Sequence, residues 1–437
     1  MAGLSHFTSF LYKISPPRVQ YVITQTKAWL RERLVDPRHF RQVRRDVDLL
    51  YRQLKGKSHY RVLFIVSVAA QWKQGILFRL LEQNAHFEPA ILLTPYSEEL
   101  TPAVIDNYQT SLAKLKEKGY TPIEALSPDG QLLNIAKQCP PDLIYYITPY
   151  DVLLPKQYRM SSTYKHSLIC YSRYGYVLDT RAEWHKIRNF GYCWQLFLSS
   201  KIDSDLYQRH SLFGVENGYA SGPLIYDEIR EALPKKENHE DLPLVILAPH
   251  HSIESWGFAL SNFLRLSDYY LSLPHRFAGR LRFAFKPHPH LKAKLYRHSQ
   301  WGRERTDEYY KFWDESEGCY LELGPYADLF AHSAAMVHDC AAFSVEYLLT
   351  QHPVLFIRRN HRLPPKLNEI GKLAYQLHQL ADSEEQIDRF LESVAEKREV
   401  ESSELWDSFR HLVLPHTEIS IAQSIMSRLN ELLNPAS

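Results

Sequence analysis

The sequence predicts an α/β fold of two doubly wound parallel sheets that face each other across a cleft. Three observations predict it. Short β-branched and aromatic runs alternate with stretches of helical spacing from residue 60 to 171, and the alternation starts again near residue 240. A chain of 437 residues exceeds one ordinary core. Between the two series, Gly222-Pro223 and Pro234-Lys235-Lys236-Glu237-Asn238 break the pattern and mark a linker around 222–242.

Residues 17–55 read as helices broken near Asp36-Pro37. Tyr60 to Val66 is a compact apolar run and reads as a buried strand. Trp72, Ile76 and Leu80 repeat at helical spacing over 72–84. Pro89 to Leu93 is the next strand, and Thr101-Pro102 opens a helix over 102–118. Strands follow at Tyr120–Ala125, Asp142–Ile147 and Leu168–Tyr171, with a helix over 129–138. In the second series the strands are Leu244–Ala248, Leu281–Phe285, Ala334–His338 and Pro353–Ile357. Helices are expected over 256–275, after Pro289, over Phe343–Leu349 and from 383 onward.

The composition is that of a soluble globular protein, with 45% hydrophobic and 23% charged residues. Five scattered cysteines without a C-x-x-C pair argue for a reducing compartment and against a zinc site. No signal peptide and no membrane-length apolar run is evident, so a cytoplasmic location is expected. Residues 1–57 carry twelve Lys or Arg against four Asp or Glu, with aromatic residues interleaved. Such an arm suits an anionic membrane surface, at the inner face of the cell membrane, or a helical extension packed on its own domain. The remainder of the chain is net acidic, which argues against nucleic acid.

Ligands in open parallel sheets sit beyond the carboxyl ends of the strands, so the strand exits locate the chemistry. One exit reads Lys286-Pro287-His288-Pro289-His290. Its prolines stiffen the turn, and its cation and imidazoles suit a phosphate or a proton transfer near neutral pH. A second reads Asp339-Cys340-Ala341-Ala342-Phe343-Ser344 and enters a helix, where unpaired N–H groups favour an anion. Asp339 also fits a simple N-cap, and Glu346 either a ribose contact or an exposed helix charge. A third reads Pro249-His250-His251-Ser252 and offers a base or a phosphate contact. In the first series the exits Thr148-Pro149-Tyr150-Asp151 and Ser172-Arg173-Tyr174-Gly175-Tyr176 face the other half of the cleft, as an acceptor site or as plain turns. No P-loop, G-x-G-x-x-G fingerprint, nucleophile elbow or H-E-x-x-H motif is present.

These motifs together resemble the CDP-glycerol glycerophosphotransferases, the teichoic-acid primases and polymerases of GT-B fold, in the form found in capsule and cell-surface polymer clusters. The resemblance rests on Pro141-Asp142-Leu143-Ile144 through Asp151, Tyr171 to Tyr176, Ala248 to Ser252, Ser261-Asn262-Phe263, Phe285 to Pro289, Tyr326 to Phe330 and His338 to Tyr347, and spans roughly residues 60–430. It implies transfer of glycerol phosphate, or a related polyol phosphate, from CDP-glycerol or CDP-ribitol to a hydroxyl of a surface glycan or lipid-linked acceptor, releasing CMP. His288 matches the family histidine on the donor pyrophosphate. The family's Asp-x-Ser-Ser loop aligns with Asp339 to Ala342, where both serines are alanine. Its Trp-His-Gly motif reads Tyr174-Gly175-Tyr176, without the histidine taken as base.

The expected organisation is a basic helical arm over 1–57, an acceptor domain over 58–230 and a nucleotide-binding domain over 231–400. Helices over 401–437 are expected to return toward the first domain. His288, His250 and His251 are the catalytic candidates. Lys286, His290, Asp339, Cys340, Ala341, Ala342, Ser344 and Glu346 are expected on the donor side, and Tyr150, Asp151, Arg173 and Tyr174 on the acceptor side. No cofactor is expected to be required; a divalent cation is compatible with the motifs but not indicated by them. Two other readings remain: a nucleotide-sugar glycosyltransferase of surface polysaccharide, and a non-catalytic polymer-binding scaffold.

Overall fold

The computed structural model describes residues 36–151, 154–233, 242–254, 259–397, 404–414 and 419–434. Two wholly parallel sheets dominate it. The first has the order β3-β2-β1-β4-β5-β6-β7, and the second β10-β9-β8-β11-β12-β13. The first comprises β1 (Tyr60–Val66), β2 (Phe87–Leu93), β3 (Ile123–Glu124), β4 (Leu143–Tyr146), β5 (Leu168–Ser172), β6 (Gln195–Leu198) and β7 (Gly218–Ala220). The second comprises β8 (Leu244–Ala248), β9 (Arg282–Phe285), β10 (Cys319–Leu321), β11 (Ala335–His338), β12 (Val354–Ile357) and β13 (Gln379–Ala381). In each sheet the strand order reverses once, between β1 and β4 and between β8 and β11, which opens a crevice at the carboxyl edge.

The central strands are continuous apolar runs because helices cover both faces. Residues 143–146 and 335–338 are buried throughout. The helices named below are α1 (Asp36–Leu54), α2 (Gly75–Glu82), α3 (Pro102–Glu117), α4 (Lys201–His210), α5 (Ile225–Ala232), α6 (Phe263–Arg276), α7 (Gly302–Glu315), α8 (Ala327–His332), α9 (Phe343–Glu346), α10 (Glu369–Leu377), α11 (Glu384–Ala395), α12 (Glu404–Val413) and α13 (Ile421–Leu433).

Several elements went unread in sequence. β6, α4 and β7 lie in a stretch to which no element was assigned, α5 occupies the expected linker, and α7, β10, α8, α10 and β13 were also missed. The edge strands β7, β10 and β13 have three residues each, too few for a period-2 signal. The helix expected over 129–138 is a single turn, Ile135–Gln138. The expected helix Phe343–Leu349 is α9, continued by a tighter 3-10 turn over Tyr347–Thr350.

The charged segment at 36–54 is docked on the first domain. Phe40, Val43 and Val47 of α1 are buried in the core of the first sheet, and Arg188 pairs with Asp36 at 3.2 Å. Residues 1–35 of the expected arm lie outside the described residues. The C-terminal α13 joins the same core through Ile425, Leu429 and Leu433, and the Tyr51 hydroxyl donates to the Leu432 carbonyl at 2.7 Å. A separate core mixes the two halves: Tyr176, Leu178, Ile225 and Ile229 pack with Ile246, Met336, Tyr347, Trp406 and Phe409. No described helix is long and apolar enough to cross a membrane.

Candidate active site

The site is built at the crevice of the second sheet. Register pairs Leu247 with Phe285 and Ala248 with His338. The loops that begin at Pro249, Lys286 and Asp339 therefore leave the sheet at one level. The ladder continues past the strands, because Lys286 N–H donates to the Leu247 carbonyl (2.9 Å) and His288 N–H to the Pro249 carbonyl (3.1 Å). Two loops distant in sequence are thereby stapled side by side.

The result is a wall of four imidazoles. Ring centroids lie 4.3 Å apart for His250 and His251, 4.2 Å for His251 and His288, and 5.1 Å for His250 and His288. His290 stands 5.4 Å from His288 and 5.6 Å from His251. Burial, reinforced by neighbouring positive charge, lowers the imidazoles of His250, His251 and His288 to about 3, 4 and 2. Three neutral rings thus face each other at neutral pH. One nitrogen from each of these three lies within 4.8 Å of the others, a spacing from which a metal ion can be held. The Nδ1 of His251 is buried without a hydrogen-bond partner among the described residues.

Asp339 fastens the wall from behind. Fully buried, its carboxylate accepts the N–H of His250 (2.6 Å) and the N–H of Asn262 at the start of α6 (2.5 Å). Burial raises its acid to about 7, against the pull of those donors. Asp339 is thus a brace between loops rather than the cap of its own helix. Lys286 is also buried, with its ammonium donating to the Gly324 carbonyl at 3.0 Å, and burial lowers it to about 8.

The other residues read on the donor side divide. Cys340 is buried, with its thiol on the Ala248 carbonyl at 3.3 Å, and Ser344 bonds the Cys340 carbonyl and the Tyr375 hydroxyl. Both are internal struts. Ala341 and Ala342 remain partly exposed at the entry to α9. Glu346 was read as a ribose contact or an exposed charge; instead it is fully buried, with one oxygen on Lys73 (3.3 Å) and the other bonded by the Tyr326 hydroxyl.

Across the cleft, Tyr150 and Tyr174 are 43% and 44% exposed, unusual for large rings and suited to a stacking surface. Arg173 and Asp151 turn inward. Arg173 makes a paired contact with the Asp203 carboxylate (3.0 and 3.1 Å) and donates to the Trp184 carbonyl. Asp151 accepts Met160 N–H (2.6 Å) and the Asn189 amide (2.7 Å). A buried charge needs partners that solvent cannot supply, and these positions have them.

Sequence reading missed Lys73, which joins the halves. It follows β1, donates to the Tyr174 carbonyl (2.6 Å) and meets Glu346 of the second domain. Burial lowers Lys73 and raises Glu346, while their mutual attraction opposes both shifts. Gly175 makes the contact possible: a Cβ there would stand 2.7 Å from the Glu346 carboxylate. A lone lysine in a loop carries no sequence signal of this kind. Beside it, Trp72, Tyr120, Glu228 and Tyr326 help line an interdomain cavity of about 410 Å³ that none of the four imidazoles reaches.

No sequence model of a protein family matches the chain, and no curated protein matches it in sequence. Solved structures do match in shape. One is the S. aureus MnaA-UDP co-structure, at 11% identity and TM-score 0.51, covering 86% of this chain and 97% of that one. Another is the Methanocaldococcus jannaschii UDP-GlcNAc 2-epimerase in complex with UDP-GlcNAc and UDP, at 13% identity and TM-score 0.51, covering 85% and 99%. A variant of the wall teichoic acid polymerase TagF soaked with CDPG matches at 11% identity and TM-score 0.50, covering 94% and 98%. At such identities the likeness is one of fold: the chain has a GT-B-like α/β architecture.

Proposed function

We propose that this protein transfers a polyol phosphate, glycerol phosphate in the first instance, from its cytidine diphosphate carrier to a hydroxyl of a surface glycan or lipid-linked acceptor. The observation that carries the reading is the convergence of the β8 and β9 exits into one imidazole wall, braced by Asp339 at the β11 exit, at the crevice of the second sheet. The sequence resemblance stated above supplies the donor class.

In this reading the acceptor oxygen attacks the phosphorus that bears the polyol, in line with the bridging oxygen. A P–O bond forms to the acceptor, and the P–O bond to the bridging oxygen breaks. CMP leaves with the bonding pair, and an imidazole of the wall takes the hydroxyl proton. Charge spreads over the equatorial oxygens, so prearranged donors and cations contribute most of the catalysis. His288 meets each of the other three rings of the wall and takes the diphosphate with His250 and His251. Lys286 adds positive potential from beneath. Tyr150 and Tyr174 offer the acceptor a stacking surface.

The test is a donor panel of CDP-glycerol, CDP-ribitol and nucleotide sugars, with nucleotide release as readout. CMP release from a CDP-polyol is expected. His288→Ala, folded by circular dichroism, should lose about 2.7–4 kcal/mol of barrier lowering, roughly 100- to 1000-fold in rate. Release of UDP from a nucleotide sugar instead would establish the glycosyltransferase reading, and no thermal shift with any nucleotide would establish the scaffold.

A further inference from the structure

We propose that His250, His251 and His288 bind a divalent transition-metal ion, and that this ion receives the oxygens of the donor's diphosphate. The inference rests on the donor reading above but concerns a site with its own chemistry. It is carried by the meeting of three imidazoles from two loops, with one ligand nitrogen each within 4.8 Å of the others. Imidazole suits zinc, cobalt and nickel rather than magnesium or calcium, which prefer oxygen. Three protein ligands also leave coordination positions open for a phosphate oxygen, as in catalytic rather than structural zinc sites.

The surroundings hold the ligands in place. The His250 Nδ1 lies 2.8 Å from the Ser252 hydroxyl, an oxygen able to accept the Nδ1 proton and leave Nε2 free to coordinate. The buried Nδ1 of His251, without a hydrogen-bond partner among the described residues, is a polar atom whose desolvation a bound ion would offset. Asp339 holds the backbone of His250 from behind, and Glu254, paired with Lys294 at 2.6 Å, neighbours His250 and His251. Tetrahedral zinc needs nitrogens about 3.3 Å apart, so the rings close by at most about 1.5 Å on binding. Two 3.2 Å backbone contacts, Ser252 N–H to His250 Nδ1 and His290 N–H to His288 Nδ1, give way in that movement. His290 lies outside the ligand set and remains available to take the hydroxyl proton. Spacing arguments miss such a site because the ligands sit on two strand exits, not in one motif.

The experiment uses the full chain, stripped with EDTA and titrated with Zn²⁺ alone by calorimetry and Co²⁺ alone by its d–d absorption. A single saturable equivalent is expected, with a Co²⁺ band of low-coordinate intensity. His251→Ala and His288→Ala should each weaken binding roughly 10- to 100-fold or more. His332→Ala, an exposed histidine distant in sequence from the wall, should not. CDP titrated into stripped and loaded protein separates this inference from the reading beneath it. Tighter CDP binding by the loaded protein supports both. CDP bound equally well with no metal taken up overturns the metal site and leaves the donor reading standing. Metal binding unchanged in both ligand variants also overturns it. Metal bound through these histidines, with no affinity for CDP, sustains the site and overturns its role toward the diphosphate.

Discussion

His338 and His378 illustrate what burial does to one residue type. Their Nε2 atoms lie 3.1 Å apart, and the other nitrogen of His378 bonds the Ala374 carbonyl at 2.6 Å. Burial holds His378 at about 4 against an ordinary 6.5. Below pH 6.5 the unfolded imidazole takes a proton that the folded one refuses. The unfolded state then binds more protons, so stability rises with pH through this window and levels off above it. Denaturant melts between pH 4 and 6.5 should show that rise, shared with the other buried histidines, and His378→Gln should make it shallower. An unchanged slope would assign the acid sensitivity to other groups. In sequence His338 read as the last residue of a strand, and His378 carried no motif. The sequence identified His250, His251, His288 and His290 as residues at strand exits, and the structure gathers all four. It gave no means of telling that Arg173, Asp151 and Glu346 spend their charges on internal partners, because partners are a property of the packed chain.

At the scale of the element, α1 was the least certain assignment in sequence. Its basic charge and interleaved aromatic residues suited a membrane surface, and a helical extension packed on its own domain was the other reading. Phe40 settles the described part. It is 4% exposed, 4.5 Å from the Phe213 ring and 5.1 Å from that of Tyr192. Phe40→Ala should cost about 3–5 kcal/mol in denaturant unfolding. A loss near zero would mean that α1 lies loosely on the surface. Elements were legible where a run of four or more apolar residues was buried on both faces, as in β1, β4, β8 and β11. They were illegible at the sheet edges, where β7, β10 and β13 rely on pairing with a neighbour and carry little pattern of their own.

At the scale of the whole molecule, the Lys73–Glu346 pair ties the exit of β1 to α9. Removing one partner leaves a buried charge unmatched. Lys73→Met or Glu346→Gln alone should therefore destabilise by about 3–5 kcal/mol, and the double variant by clearly less than the sum. Additive losses in urea melts would show that the pair is not coupled. The two sheets, their parallel sense and the residues at their carboxyl edges were readable from local pattern, because strand periodicity and chain punctuation are written into neighbouring residues. The side-by-side setting of the β8 and β9 loops, the brace at Asp339 and the union of the halves through Lys73 came only with the tertiary structure. Each joins residues far apart in the chain, and an interaction of that kind leaves no trace in the order of the residues until folding desolvates them together.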